Sequence, residues 1–312
     1  MNIRLFAKAG LSLERLRTFV EIVSAKGMSN AAPGDSNRQS QFSRQLKELE
    51  DFFGAELLLR GRGRCQLTPA GRELFQIVQS HFSALQELAD RCADNKTEVN
   101  VGAGESVLQW LFLPNLTQIR TRLPSVSFIL HNLQSEEITA RLRDGRLDLG
   151  IGRQNAFAPP LKCARLGVVE YRLAVPKASS RPTKKDDVWR VLARHPVALL
   201  AGSEITAALE SAAEKRRLRL NICLHGSSYG QLVEAVRNAG CAAILPAFIS
   251  QAQAGAGVEF LPLNALKEHR RAIALAWNPH YCALRPALLS VGEAAADVLR
   301  KALDSNGGGD AS

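Results

Sequence analysis

Apolar positions follow a helical period through the first third of the chain, then alternate between strand-like and helix-like runs. In "LERLRTFVEIVSAKG", Leu13, Leu16, Phe19, Val20 and Val23 fall on one face of a helix that Gly27 stops. A second stripe, Phe42, Leu46, Leu49 and Phe53, predicts a helix closed by Gly54. Ser36 and Gln39 stand at capping-box spacing and place its start. Two helices joined by a tight Gly/Asp/Ser turn, the second carrying Gln39, Ser40, Gln41, Ser43 and Arg44 early on, make a helix-turn-helix candidate.

After Gly54, "AELLLRGRGRCQLT" reads as two short extended runs around an Arg-Gly turn, a hairpin or wing. Thr68 is placed to cap the next helix, with Pro69 at its first position, where a missing N–H costs little. That helix is expected to reach about Ala93. Leu74, Val78, Phe82, Leu85, Leu88 and Cys92 recur along it at near-heptad spacing, the seam of a helix that packs on a partner such as its own copy.

From residue 97 the texture changes. "TEVNVGAG" is a strand, followed by a helix to about Leu123, a strand "VSFILH", a helix "SEEITARLRDG" and a strand "LDLGIG". Beyond Pro159-Pro160 the alternation resumes with "LGVVEYRLAVP", a helix near 184–194, "VALLA", a helix near 204–216 and "LRLNICLH". The helix "YGQLVEAVRNAG", "CAAILP", "VEFLPL", a strand "RAIALAW" and a helix over 284–303 complete it. Such alternation predicts parallel sheets with right-handed crossovers, and the break near 154–165 predicts two of them.

Composition narrows the class. At 312 residues the chain exceeds a typical single domain, and its apolar and charged content is that of a globular protein. The six cysteines show no CxxC and no histidine at metal-ligand spacing, so buried thiols in a reducing cytoplasm are expected, with a redox pair among them left open. No His/Asp/Glu cluster suggests a metal, and no cofactor is expected. The segment "MNIRLFAKAGLSLERL" lacks a signal-peptide core and no apolar run approaches membrane-spanning length, so a cytoplasmic protein without a membrane partner is expected.

Charge points to a polyanion. The formal net charge is +10, and residues 1–72 hold 12 Lys/Arg against 7 Asp/Glu, an excess of +5. Those cations gather on the second helix (Arg38, Arg44, Lys47) and in "RGRGR" (Arg60, Arg62, Arg64), where like charges repel unless something outside the chain neutralises them. Duplex DNA uses both groups. Arginines neutralise phosphate, whereas Gln, Ser and Arg on an inserted helix reach base edges. The DNA-binding candidates are therefore Arg38, Gln39, Ser40, Ser43, Arg44, Lys47, Arg60, Arg62 and Arg64.

Residues 13–72 resemble the winged helix-turn-helix of LysR-type transcriptional regulators. "LRTFVEIVSAKGMSNAA" matches the family's first helix and the Ala-Ala of its second, "RQSQFSRQLKELEDFFGAELLLR" matches its recognition-helix signature without a gap, and "LTPAG" matches its "LT.AG". More loosely, "VNVGAG…LPNL", "RLRDGRLDLGIG" and "LVEAVRNAGCAAILP" resemble the family's effector domain. The chain departs from the family at "SNAAPGDSN", where Pro33 and Gly34 replace helix formers, so the second helix is expected to be short or irregular.

The resemblance implies a multidomain α/β protein: a mainly α winged helix-turn-helix over 1–72, a dimerising linker helix over 73–95, and a periplasmic-binding-protein-like α/β effector domain over 96–305. Its two subdomains would be 96–165 with 269–305, and 166–268. By resemblance "RGRGR" is the wing, the partners are double-stranded DNA, a small effector and further copies of the chain (a homodimer, then a dimer of dimers), and the protein is not an enzyme.

One rival signal comes from "GSSYG" at 226–230, which fits G-x-S-x-G between a strand and a helix, with Glu259, His269 and His280 downstream as candidate partners. A serine hydrolase would need an oxyanion segment upstream, and none resembling "HGGG" precedes it. "GAGES" at 102–106 is too short for a dinucleotide fingerprint. Helix starts following strands instead converge at Gly104, Glu105 and Ser106, at Gln134 and Ser135, at Gly202 and Ser203, and at Ser227 and Ser228. Free N–H groups and hydroxyls there suit a small anion, and Glu105 asks for a donor on the same ligand, so an anionic or zwitterionic effector is expected.

Overall fold

The computed structural model describes residues 9–59, 65–93, 96–177, 188–252, 257–285 and 287–307. The chain divides into two compact units, 1–94 and 95–312.

In the first unit, α1 (Leu13–Ser24) begins at Ser12, whose Oγ accepts the Arg15 N–H at 3.2 Å. Phe19 and Ile22 carry its packing, and Thr18 donates to Gln45 Oε1 at 2.6 Å. Leu13, expected on the apolar face, is 65% exposed at the first position of the helix. α2 (Met28–Ala31) is a single turn. Ala32, forced out of helical geometry (φ −139°, ψ 70°) ahead of Pro33, ends it.

α3 (Ser36–Phe53) is capped by Asp35 rather than by Ser36: its carboxylate accepts the Arg38 N–H at 2.9 Å. An ionised acceptor one residue earlier outcompetes the hydroxyl. Gln39, freed from a capping box, donates Nε2 to the Ala32 carbonyl at 2.7 Å. Phe42, Leu46 and Leu49 are buried as expected, whereas Phe53 is exposed, and Gly54 closes the helix in the left-handed region at φ 67°.

β1 (Leu58–Leu59) pairs antiparallel with β2 (Gln66–Leu67). Arg60, Arg62 and Arg64, between them, lie outside the described residues. α4 (Pro69–Cys92) starts at Thr68, whose Oγ accepts the Gly71 N–H at 2.9 Å and donates to the Glu56 carbonyl at 2.7 Å. Gly71 lies against the Leu57 backbone so closely that a Cβ there would stand 1.9 Å from the Leu57 carbonyl oxygen. The predicted seam of α4 divides in two. Leu74 and Val78, with Phe75 beside them, join the core around Phe19 and Leu49, but Leu85 and Leu88 are 52% and 50% exposed.

The second unit holds two five-stranded sheets. β3 (Thr97–Ala103) leads into α5 (Glu105–Val107), a π-helical stretch Leu108–Phe112, a 3-10 turn Leu113–Asn115 and α6 (Leu116–Arg122). Pro114 explains the widened turn: it has no N–H for the Trp110 carbonyl, and its ring needs the room. β4 (Val126–Asn132), α7 (Ser135–Arg143), β5 (Leu149–Arg153) and β6 (Lys162–Val169) follow. The expected single strand "LGVVEYRLAVP" is broken at Glu170, after which β7 (Tyr171–Pro176) belongs to the other sheet.

That sheet adds α8 (Val188–Arg194), β8 (Val197–Leu200), α9 (Glu204–Lys215), β9 (Ile222–Gly226), α10 (Tyr229–Ala239), β10 (Ala242–Pro246), α11 (Phe248–Ala252) and β11 (Val258–Pro262). The chain re-enters the first sheet as β12 (Arg271–Trp277). The passages between sheets thus fall at Glu170 and Arg270, where the sequence reading put them after residues 165 and 268. The expected helix over 284–303 is two elements, α12 (Pro279–Leu284) and α13 (Ala287–Gly307). Arg285 breaks it with φ −129° and ψ 75°, as befits a residue ahead of Pro286.

The sheets are mixed rather than parallel. Their orders are β4-β3-β5-β12-β6 and β11-β7-β10-β8-β9. β3 runs parallel to β4 and β5, and β8 to β9 and β10, as the alternation requires. The antiparallel partners, β12 against β5 and β6 and β7 against β10 and β11, flank the two passages, where a strand arrives from the other sheet instead of from a crossover helix. Arg285 also ties the first sheet together. It is nearly buried, donates to Asp148 Oδ1 at 2.6 Å and to the Glu98 carbonyl at 3.1 Å, while Asp148 Oδ2 accepts the Asn100 N–H at 2.8 Å.

Replacing Gly71 with Ala should destabilise the first unit by about 1–3 kcal/mol, because the Leu57 backbone cannot yield as a side chain can. Thermal unfolding followed by circular dichroism checks this, and an unchanged melt would show that the α4–Leu57 contact can open at no cost.

Candidate nucleic-acid interface and ligand cleft

α3 has two faces. Phe42, Gln45, Leu46 and Leu49 are buried, and Ser36, Ser40, Ser43, Arg44 and Lys47 form an exposed stripe on the opposite side at helical spacing. Ser40 donates its hydroxyl to the Ser36 carbonyl at 2.9 Å. Arg44 is 74% exposed and lies 3.8 Å from Glu48, a separation at which an exposed pair holds its partner loosely. Lys47 has no acidic partner among the described residues.

Two of the candidate DNA contacts are otherwise engaged. Arg38 bonds to Glu21 of α1 at 2.7 Å and lies over the Phe42 ring, 5.2 Å from its centroid, and Gln39 is committed to Ala32. The structure therefore gathers Ser40, Ser43, Arg44 and Lys47 on one open face, places Arg38 and Gln39 at its margin, and does not describe Arg60, Arg62 and Arg64.

Within the second unit, all nine candidate effector residues line one cavity of about 360 Å³. Gly104, Glu105, Ser106, Gln134 and Ser135 come from the turns after β3 and β4 of the first sheet. Gly202, Ser203, Ser227 and Ser228 come from the turns after β8 and β9 of the second. These are the carboxyl ends of parallel strands, where open α/β sheets leave their crevices.

Sequence reading missed the strongest charges in that cavity. Arg153 at the end of β5, Arg271 at the start of β12, and Tyr171 and Tyr229 also line it. Arg153 donates to Glu204 Oε1 at 2.6 Å, and Arg271 Nη2 lies 3.5 Å from Glu204 Oε2. Glu204 opens α9, so this one carboxylate from the second sheet meets two arginines of the first. The Arg153 hydrogen bond holds the Glu204 carboxyl below its ordinary range. Arg271 also packs over Tyr171, 5.6 Å from the ring centroid. The only available signal for these residues was their place at strand ends facing the crevice.

Burial pushes the phenols of Tyr171 and Tyr229 above the ordinary tyrosine value. Tyr171 and Ser203 both act on the ionisation of Tyr229, yet among the described residues the Tyr229 hydroxyl and Ser203 Oγ are buried with no partner in hydrogen-bond geometry. Buried polar atoms left this way cost about 1–3 kcal/mol each, which makes this part of the cavity wall polar. Glu105 supplies the opposite sign, with Oε1 standing 3.1 Å from where a Cβ on Gly230 would be.

The "GSSYG" turn has a plain structural task. Ser228 caps α10, its Oγ accepting the Gln231 N–H at 3.3 Å, while Ser227 donates its N–H and hydroxyl to Gln231 Oε1 at 2.7 and 3.2 Å. No histidine bonds to either serine among the described residues. Nor do those residues contain a His/Cys/Asp/Glu cluster able to hold a metal, or a helix long and apolar enough to cross a membrane.

Residues 13–72 match the family described as "Bacterial regulatory helix-turn-helix protein, lysR family", and residues 93–299 match the "LysR substrate binding domain". The regulator BenM of Acinetobacter baylyi is 29% identical over 176 residues, 55% of this chain and 57% of BenM. The chain thus spans little more than half the length of that relative. A probable nitrogen assimilation transcriptional activator of Synechococcus elongatus is 27% identical over 76% of this chain and 79% of its own.

Among solved structures, a full-length OxyR variant from Pseudomonas aeruginosa shares the fold with a TM-score of 0.65 at 21% identity, covering 93% of this chain and 95% of that one. Full-length LysG from Corynebacterium glutamicum with bound effector Arg aligns at 0.62 and 18% identity, covering 93% and 99%. Full-length CbnR complexed with its target DNA aligns at 0.56 and 19%, covering 94% and 100%.

A phenol whose folded-state pKa is raised contributes stability below its unfolded value of about 10, and that contribution is lost as pH rises through the folded value. Between pH 9 and pH 11 the wild type should therefore lose about 1 kcal/mol more stability than Tyr171→Phe. Urea unfolding at the two pH values measures the difference, and equal losses would place Tyr171 in a solvated environment.

Proposed function

The chain belongs to the LysR family of bacterial helix-turn-helix regulators, and on that premise we propose that it is a sequence-specific DNA-binding regulator controlled by a small anionic or zwitterionic ligand. The family is one of transcriptional regulators, not of enzymes. The observation that carries the DNA half is the polar face of α3, where Ser40, Ser43, Arg44 and Lys47 point outward from a helix whose other face is core. Residues 1–72 bind DNA in this reading, with the wing arginines on phosphate, 73–95 join two copies, and 96–305 sense the ligand. Leu85 and Leu88 support the joining role, because two half-exposed leucines on one helix stripe lose their contact with water in a paired helix.

The ligand half rests on the cavity: two arginines, two tyrosines and a ring of serines and helix starts, with Glu105 to receive a donor. A carboxylate bound there competes with Glu204 for Arg153 and Arg271, which come from the opposite sheet, and so changes the balance of open and closed forms. The fold is shared with CbnR, solved on its target DNA, and with LysG, solved with Arg as effector.

Arg44→Ala should lower the ratio of specific to random duplex binding by about 1–3 kcal/mol for a lost bidentate base contact. Lys47→Ala should instead weaken both duplexes alike and flatten the log–log salt dependence by roughly one unit. Fluorescence anisotropy on a footprinted site reads both, and a wild-type ratio in Arg44→Ala would remove α3 from the bases.

For the cavity, a panel of small carboxylates and amino acids should contain compounds that raise the melting temperature of the wild type but not that of Arg271→Gln. Equal shifts in the two proteins would place the ligand elsewhere.

A further inference from the structure

Two of the six scattered cysteines are not scattered in space. The sulfurs of Cys223 and Cys241 lie 3.0 Å apart, about 1 Å longer than a disulfide bond. Cys223 belongs to β9, the edge strand of the second sheet, and Cys241 stands between Gly240, the left-handed cap of α10, and β10. β8 separates β9 from β10, so the two side chains meet across its first residue: Val197 pairs with Ile222 on one side and Ala242 on the other. The Cys223 sulfur sits 3.5 Å from the Val197 carbonyl oxygen, which fixes the meeting point.

The strand is modified to bring them together. Val197 faces Ile222 but Ala198 faces Leu224, so the register slips by one residue and Cys223 is the extra one. A bulge of this kind re-aims a side chain and gives the backbone local slack, both of which a closing sulfur pair requires. The two thiols also differ in setting. Cys223 is exposed, whereas Cys241 is 3% exposed, and burial with the adjacent Cys223 sulfur pushes its thiol up to about 11. Cys241 therefore keeps its proton at neutral pH, while Cys223, in contact with it, is the sulfur an oxidant can reach.

We propose that Cys223 and Cys241 form a thiol-oxidation site, in which a hydroperoxide oxidises the accessible Cys223 and Cys241 resolves the product to an intramolecular disulfide. The Cys223 thiolate attacks a peroxide oxygen, the O–O bond breaks, and the departing oxygen takes a proton to leave as water when the oxidant is hydrogen peroxide. Cys223 is left as a sulfenic acid. The Cys241 sulfur then attacks the Cys223 sulfur, the S–O bond breaks, and the hydroxyl leaves as water with the proton that Cys241 gives up. Two thiols and one peroxide become one disulfide and two waters, and the sulfur pair loses the two electrons that the peroxide gains.

The bond would close a loop over residues 224–240, which carries Ser227, Ser228 and Tyr229 at the cavity wall. Oxidation would thereby stiffen one side of the ligand cavity, through a covalent tie that the thiol reductants of a reducing compartment can reverse.

The test uses the full-length reduced protein and hydrogen peroxide. Free thiols counted after denaturation should fall from six to four. Peptide mass spectrometry should find Cys223 linked to Cys241 within one chain, and a thiol reductant should restore all six. In Cys241→Ser the reaction should stop at a sulfenic acid on Cys223 that dimedone captures, and in Cys223→Ser residue 241 should stay unmodified. Amide exchange across 224–240 should slow in the oxidised wild type. A linkage between two chains, oxidation of the exposed Cys92 in preference to Cys223, or an oxidised protein with all six thiols free of mutual linkage would each overturn the assignment. The wild-type mapping decides the matter even if a variant fails to fold.

Discussion

The second unit depends on a constraint of connectivity: the chain passes from one sheet to the other at Glu170 and returns at Arg270. Those residues approach each other, with Arg270 Nη1 3.6 Å from Glu170 Oε1, so the two passages run side by side. Two adjacent passages hold the sheets together while leaving the carboxyl ends of their parallel strands to face one another. The cavity follows from that arrangement. It also explains why Arg271 and the tyrosine it packs over, Tyr171, are the first residues of the strands that leave the passages.

Much of this was legible because local rules were strong. Period located α1 and α3, period and the Thr68 cap located α4, the strand-helix alternation located most elements of the second unit, and the helix starts that supplied nine cavity residues could be read at the ends of apolar runs. What was not legible is what depends on partners far along the chain. The sheets are mixed because β7 and β12 arrive through the passages, and no local pattern states the direction of a strand. Arg153, Arg271 and Glu204 meet only once both sheets are assembled. The cysteines at 223 and 241 carried no spacing signal, since what joins them is a bulge in β9 and the end of β8.

Errors of detail have local causes. Asp35 took the cap assigned to Ser36 because a carboxylate is the better acceptor, and the terminal helix broke at Arg285 because Pro286 follows it. The "GSSYG" turn imitated a nucleophile elbow because both require a serine at the start of a helix after a strand. A capping hydroxyl and a nucleophile differ in what stands beside them, and here it is the Gln231 backbone N–H.

The bond from Gln39 to the Ala32 carbonyl has a consequence for how such a helix can be read against DNA. α2 is cut to one turn ahead of Pro33, and the carbonyl that ends it takes its donor from the next helix. A side chain already holding its own backbone can turn to a base edge only by giving up that bond, worth about 1 kcal/mol, whereas Ser43, Arg44 and Lys47 have no such obligation to the backbone. Those three side chains thus begin one turn beyond Gln39, away from the start of the helix and toward its middle.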